Sequence, residues 1–279
     1  MPETKNKIGL LRAEIRRLRK TVYELTPPLD VMLKRRGFTI YKKEPSGDLL
    51  VPDQQYALAF RSKLKKYSFR LFLRDVIKHQ DLFGLDQVTR FATKQVAAGY
   101  LDFLITSGLV EPYRGRFRLV KRPLKNFGET LEWFVAGLIR EDFQTEAVWG
   151  VKFRRPKIGG DYDVIAKLDS SLLYMEIKSS PPRQIFDRGI SAFLDRVEEL
   201  SAEVSIFFID TELRMKDKIV PMFEEELFRR YKKRVPVRRI VKELFHINEK
   251  IFIINAKGGI SSNINTVLTF LWHRKFEID

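Results

Sequence analysis

Cysteine is absent from the 279 residues, which removes disulfides, thiolate metal sites and cysteine nucleophiles together and fits a reducing compartment. Histidine is scarce. His79, His246 and His273 are the whole set, and none is spaced like a helical zinc pair. Carboxylates and lysines must therefore carry any chemistry. Long apolar runs are missing too: Ile206 to Ile209 and Ile251 to Ile254 fall far short of the ~18 residues of a membrane span. No signal-type apolar core stands near the start, and the expectation is a soluble, cytoplasmic protein. Gly258-Gly259 is not followed by Gly-Lys-Ser/Thr, which excludes a phosphate loop there.

What is present is a globular composition with a strong charge bias. Apolar residues make up 44% of the chain and include 22 Phe, enough to bury a sizeable core. Lys and Arg number 52 against 36 Asp and Glu, a net charge of +16, which favours a polyanionic partner such as nucleic acid or anionic lipid. At ~150 residues per domain, the length suggests more than one compact unit.

The N-terminal segment reads as a helix. Ile8, Leu11, Ile15, Leu18, Val22 and Leu25 alternate in steps of three and four, an a/d seam that Pro27 and Pro28 end. A homodimer through this helix and a helix packed on its own domain both satisfy the pattern. From Gly37 to Val51, Phe38-Thr39-Ile40-Tyr41 and the turn residues Pro45-Ser46-Gly47-Asp48 predict a hairpin, and residues 1–60 form a first region.

Residues 61–122 follow a different pattern. Helices are expected from Ser68 to Gln80 (Phe72, Val76 and Ile77 inside), from about Leu85, and from Thr93 to Ser107 (Val96, Tyr100, Leu101 and Leu104 inside). A hairpin then turns at Arg114-Gly115, with Arg116 and Arg118 on one face of the return strand. This resembles a winged helix-turn-helix, which implies DNA contact through Arg114, Arg116 and Arg118 of the wing and Lys94 and Gln95 of the third helix. Asp102 on that helix would repel a phosphate backbone, and a protein-contact winged helix is the competing reading.

From residue 123 to 279 the grammar is helix, strand, strand, strand, helix, strand, an α/β (α+β overall) arrangement. A helix from Gly128 to Arg140 buries Leu131, Phe134, Val135, Leu138 and Ile139, with Glu132 on the edge of that stripe. The strand Asp161 to Ala166 and the strand Leu172 to Lys178 flank a turn at Asp169-Ser170. If Leu168 pairs with Ser171, Asp163 falls directly opposite Glu176, with Cβ atoms ~4.5–5.5 Å apart and Lys178 alongside. Like charges that close need a counter-charge, and hard oxygen ligands suit Mg2+ or Mn2+ better than zinc. Asp161 shares that strand face.

Gly-Gly-Asp-Tyr-Asp-Val-Ile-Ala, a short turn, then Leu-Leu-Tyr-Met-Glu-Ile-Lys-Ser-Ser resembles the core of the PD-(D/E)xK nucleases, the restriction-endonuclease-like superfamily, in the style of Mrr-like enzymes and Holliday-junction resolvases. The resemblance runs from about Asn126 to Thr211. It implies a mixed sheet flanked by helices and Mg2+ held by Asp163, Glu176, the Ile177 carbonyl and Glu132, with Glu129 as the fallback for Glu132. It also implies that Lys178 orients or activates water and that Gln184 contacts water or phosphate. Tyr162 stands where the name-giving proline would be. Basic residues around the hairpin, among them Arg154, Arg155 and Lys157, would then hold phosphates. The expected function is metal-dependent DNA cleavage, with a non-cutting DNA-binding regulator as the main alternative and a protein-binding adaptor as a third. Glu224-Glu225-Glu226 and the basic run that follows read as a solvated helix face.

Overall fold

The computed structural model describes residues 26–179 and 187–276, side chains of 274–276 excepted, together with Lys7, Leu11, Glu14, Ile15, Arg17, Leu18, Thr21 and Val22. Along the chain run α1 (Leu29–Arg35), β1 (Ile40–Lys42), α2 (Gln54–Leu64), α3 (Tyr67–Lys78), a short 3-10 turn (Leu85–Gln87) and α4 (Lys94–Thr106). The hairpin β2 (Val110–Tyr113) and β3 (Arg116–Leu119) follows, then α5 (Gly128–Asp142), β4 (Ala147–Phe153), β5 (Tyr162–Leu168) and β6 (Ser171–Lys178). The remainder is α6 (Asp187–Leu200), β7 (Val204–Ile209), α7 (Ile219–Tyr231), β8 (Arg238–Val241), β9 (Leu244–Ile247), β10 (Ile251–Asn255) and α8 (Ile260–Phe276).

Eight strands form one mixed sheet in the order β1-β4-β5-β6-β7-β10-β9-β8. The β6-β7-β10 centre is parallel and the flanks are antiparallel. Central β7 reads Val-Ser-Ile-Phe-Phe-Ile with every residue buried, as a strand covered on both faces requires. One face packs against α5, α8 and the helical unit α2–α4, whose apolar residues merge into a single cluster with the sheet. The other face is covered by α1, α6 and α7. The chain is thus a mixed α/β fold with helices on both sides of its sheet, and none of the helices among the described residues is long and apolar enough to cross a membrane.

Local chemistry explains the elements. Helix α3 buries Phe69, Phe72, Leu73, Val76 and Ile77, a three-and-four spacing. Helix α4 starts at Thr93, whose hydroxyl accepts the Val96 N–H at 3.3 Å. The β2–β3 turn needs left-handed backbone at both central positions, and Arg114 (φ 50°) and Gly115 (φ 72°) supply it.

Several expectations are corrected. Ile40–Lys42 forms no hairpin with its own neighbours but adds to the sheet edge beside β4, with Ile40 opposite Phe153. The Arg154 N–H to Thr39 and the Glu44 N–H to Trp149 complete that edge, so main-chain groups of β4 outcompete the local turn. Val96 is 43% exposed, because α4 packs through Ala97, Tyr100, Leu101 and Leu104 instead. Glu226 is no solvated residue: it is buried and receives the guanidinium groups of Arg229 and Arg230. In the N-terminal segment, Leu11, Ile15, Leu18 and Val22 are 47–57% exposed, while Ile8 and Leu25 lie outside the described residues. Gln184 lies outside them as well.

A buried ion pair joins the helical unit to the sheet. Asp210, just past β7 and fully buried, receives Arg70 Nε at 2.9 Å and Nη2 at 2.8 Å, and Arg74 from the next turn of α3. Arg70, only 1% exposed, also donates to the carbonyls of Leu64 and Lys65. Asp210→Ala strands that guanidinium without its counter-ion, a change expected to cost ~3–5 kcal/mol in urea unfolding. Lys43→Ala on the exposed surface serves as reference and should fall within ~0.5 kcal/mol of the parent; equal midpoints for the two variants would show that the pair contributes nothing.

Candidate active site at the end of β5 and β6

The antiparallel register of β5 and β6 sets the site. Leu168 lies opposite Ser171 and Val164 opposite Met175. The next step along both strands brings Asp163 to Glu176. Asp163 accepts the Ile177 N–H at 2.6 Å, so its carboxylate reaches across onto the β6 main chain.

A break in strand alternation shapes the space beside it. On β4, Ala147 and Trp149 belong to one apolar face, whereas Val151 and Phe153 belong to the other. The change falls at Gly150, at φ 56°. A side chain there would strike Pro45 and would come within 3.7 Å of Glu132 Oε2. Glycine therefore leaves the gap through which Glu132, on α5, faces Asp163.

Glu176 is 2% exposed and fully engaged. Lys178 Nζ stands 2.5 Å from Oε1, Arg196 Nη1 lies 3.2 and 3.0 Å from the two oxygens, and the Tyr174 hydroxyl donates to Oε2. Tyr174, Glu176 and Lys178 share one face of β6, and α6 carries Arg196 over it. Gly160 makes room for that guanidinium, since a side chain at 160 would overlap Nη2. Arg196 Nε is buried with no partner. Glu199, one turn further along α6, accepts the N–H groups of Lys157 and Ile158 and the Tyr162 hydroxyl, fixing the glycine turn against the helix.

The electrostatics follow from this crowding. Burial, and then the Glu176 charge, pushes the Asp163 carboxyl up to about 7, while Lys178, the Ile177 N–H and Arg196 pull it back. Glu132 rises to about 9 through burial first and the Asp163 charge second. Burial opposes the charge on Lys178, but Glu176 and Asp163 overcome it and hold the ammonium above its ordinary value. Arg196 is held in the same way, against its own burial, by Glu176. Three acids thus meet two cations, and the excess acid takes up protons.

The remaining sequence-derived candidates are spread out. Asp161 pairs with Lys152 at 2.9 Å and is turned to that partner. Glu129 accepts the Asp48 N–H at 2.9 Å. Arg154, Arg155 and Lys157 are exposed on the β4–β5 loop. Lys94 and Gln95 are exposed on the first turn of α4, and Arg114 and Arg116 on the β2–β3 hairpin. Arg118 is held by Glu111 at 2.7 Å and lies 3.8 Å from the Tyr113 ring centroid. Sequence pattern alone does not single out Arg196 or Tyr174. A signal for Arg196 exists: it sits three residues after Phe193 and four before Leu200, on the margin of the buried stripe of α6.

No known family matches the chain, and no curated protein matches it in sequence. Among solved structures it is similar to Can2 from Sulfobacillus thermosulfidooxidans, solved in complex with cyclic tetra-adenylate, with a TM-score of 0.50 and 13% identity. That likeness covers 87% of this chain and 60% of Can2, so the chain spans less than two thirds of its neighbour. Protein VC1899 from Vibrio cholerae gives a TM-score of 0.41 and 15% identity over 90% of this chain and 57% of its own. The likeness to Can2 is one of fold.

Raised carboxyl values carry a sign for stability. Asp163 and Glu132 hold protons in the folded chain that their ordinary values of 3.8 and 4.5 would release once unfolded. Their contribution is complete below pH ~4 and is lost as pH rises through about 7 and then about 9. In EDTA, Glu132→Gln should therefore gain on the parent as pH climbs from 5 to 9, opening a Tm difference of about 2–4 °C per kcal/mol. Parallel Tm curves for the two proteins would contradict the assignment.

Proposed function

We propose that this chain is a metal-dependent nuclease of the PD-(D/E)xK type, hydrolysing phosphodiester bonds of DNA. In this reading residues 61–122 are a winged helix that positions the substrate and residues 123–279 are the catalytic unit. The supporting observation is the meeting of Asp163, Glu176 and Lys178 at one end of β5 and β6, with Glu132 facing them across Gly150.

The donor chemistry fits a hard divalent cation: carboxylates of Asp163, Glu176 and Glu132 and the Ile177 carbonyl, in a setting where burial and then the neighbouring carboxylates raise Asp163 and Glu132. Among the described residues no three acidic or histidine side chains already stand in metal-holding positions. Mg2+ or Mn2+ would therefore be accommodated by drawing Glu176 away from Arg196. When bound, such a cation supplies Lewis acidity and lowers the pKa of a coordinated water. Lys178 brings its ammonium to where charge develops on the attacked phosphate, and Arg196, freed from Glu176, adds a second cation there. Asp163 and Glu199 keep the β6 main chain and the glycine turn in place.

One observation favours the non-cutting regulator: both oxygens of Glu176 are already satisfied by protein groups. Cleavage assays decide. Supercoiled, single-stranded and branched DNA, with RNA in parallel, are incubated with the parent and Lys178→Ala in Mg2+ or Mn2+, with and without cyclic tetra-adenylate. The nuclease reading expects cutting by the parent and a loss of about 100-fold or more in Lys178→Ala, with DNA binding retained. Binding by both and cutting by neither supports the regulator; no affinity for either nucleic acid points to an adaptor. We also propose that two chains pair through the N-terminal helix, whose described seam residues are exposed. A monomeric mass at micromolar concentration would remove that assembly.

A further inference from the structure

The far edge of the sheet carries a concentration of positive charge that the site does not use. From Arg229 to Lys242 the sequence contains no Asp or Glu. Arg229 and Arg230 turn inward to Glu226. The other cations, Lys232, Lys233, Arg234, Arg238, Arg239 and Lys242, are all exposed on the C-cap of α7, the loop after it, the edge strand β8 and the turn that follows. None of these six forms an ion pair among the described residues, and Arg239 only stacks on Phe245, 5.2 Å from its ring centroid. Other exposed cations without an ion pair, such as Lys34, Arg35, Lys43 and Lys66, are dispersed over the N-terminal third of the chain, whereas these six fall on one short stretch.

Six like charges within eleven residues repel one another, so an uncompensated cluster is stabilised by a partner that brings several negative charges at once. Beside it, Glu224, Phe228 (53% exposed), Arg234, Val235 and Pro236 line a groove of about 470 Å³, and the Glu224 carboxylate accepts the Val237 N–H at 3.4 Å. An exposed ring next to unpaired cations suits a nucleic-acid strand, whose bases stack while its phosphates take the charges. The cations lie on a loop and an edge strand rather than on an amphipathic helix, which argues against a lipid surface. In the strand order β6-β7-β10-β9-β8, four steps of ~4.8 Å put this edge ~19 Å across the sheet from the strand of Glu176 and Lys178.

We propose that the β8 edge and the loop before it form a nucleic-acid-binding surface, gripping the phosphate backbone away from the catalytic cluster. This deepens the nuclease reading but is tested without turnover. Full-length protein with Lys233, Arg234, Arg238 and Arg239 all changed to Gln is compared with the parent for binding to a single-stranded and a duplex fluorescent DNA in EDTA across a salt series. A charge-matched control changes the exposed Lys34, Arg35, Lys43 and Lys66 to Gln.

The expected result is at least ~10-fold weaker binding at 100 mM salt for the patch variant and a log–log salt slope reduced by ~2–4, near 0.7–0.9 for each phosphate no longer neutralised. The control should keep most of its slope. An equal fall in slope for both variants would assign the effect to net charge and overturn the proposal. So would an unchanged slope accompanied by self-association of the patch variant, which would make the charges a guard on an open strand edge. Patch-dependent capture by vesicles containing 30% anionic lipid, with DNA affinity unchanged, overturns it in favour of a membrane. Absence of cleavage in the assays above leaves these binding curves unaffected, so the two readings fail separately.

Discussion

The spacing between two neighbouring strands governs the chemistry of this molecule. Once Leu168 faces Ser171, β5 and β6 have no freedom left in how Asp163 and Glu176 meet. Every unusual feature nearby answers the resulting repulsion: Lys178 and Arg196 on Glu176, the Ile177 N–H on Asp163, and protons retained by Asp163 and Glu132. Gly150 and Gly160 serve the same arrangement by omission. One leaves space for Glu132 and Pro45, the other for the Arg196 guanidinium.

Much of this was legible in the sequence, for reasons that are local. Strand alternation and a two-residue turn fixed the expected β5–β6 register, because side-chain direction in a strand has a period of two. The apolar stripe of α5 and the continuous apolar run of β7 likewise declared themselves. What stayed hidden depends on distant partners. The strand at Ile40–Lys42 has no local signature of belonging to the sheet edge, since its pairing is with a segment more than a hundred residues away. Arg196 looked like an ordinary helix-surface residue until α6 was laid across β6, and Glu226 looked solvated until Arg229 and Arg230 folded back on it.

The two basic surfaces differ in kind. On the β2–β3 hairpin, Arg118 is tied to Glu111 and stacked near Tyr113, so part of the charge anticipated for DNA contact is neutralised by the hairpin itself. On the β8 edge the cations form no ion pair among the described residues. Net charge alone could not separate these cases, because +16 counts a paired and an unpaired arginine alike.

Asp210 closes the chain of connections. Its carboxylate is clamped by two arginines of α3, while its own N–H donates to the carbonyl of Lys178 at 2.8 Å. Besides the apolar core they share, the helical unit and the strand bearing the lysine thus meet at this one polar residue. Only two contacts, an ion pair and a main-chain hydrogen bond, separate the arginines of α3 from the backbone of Lys178.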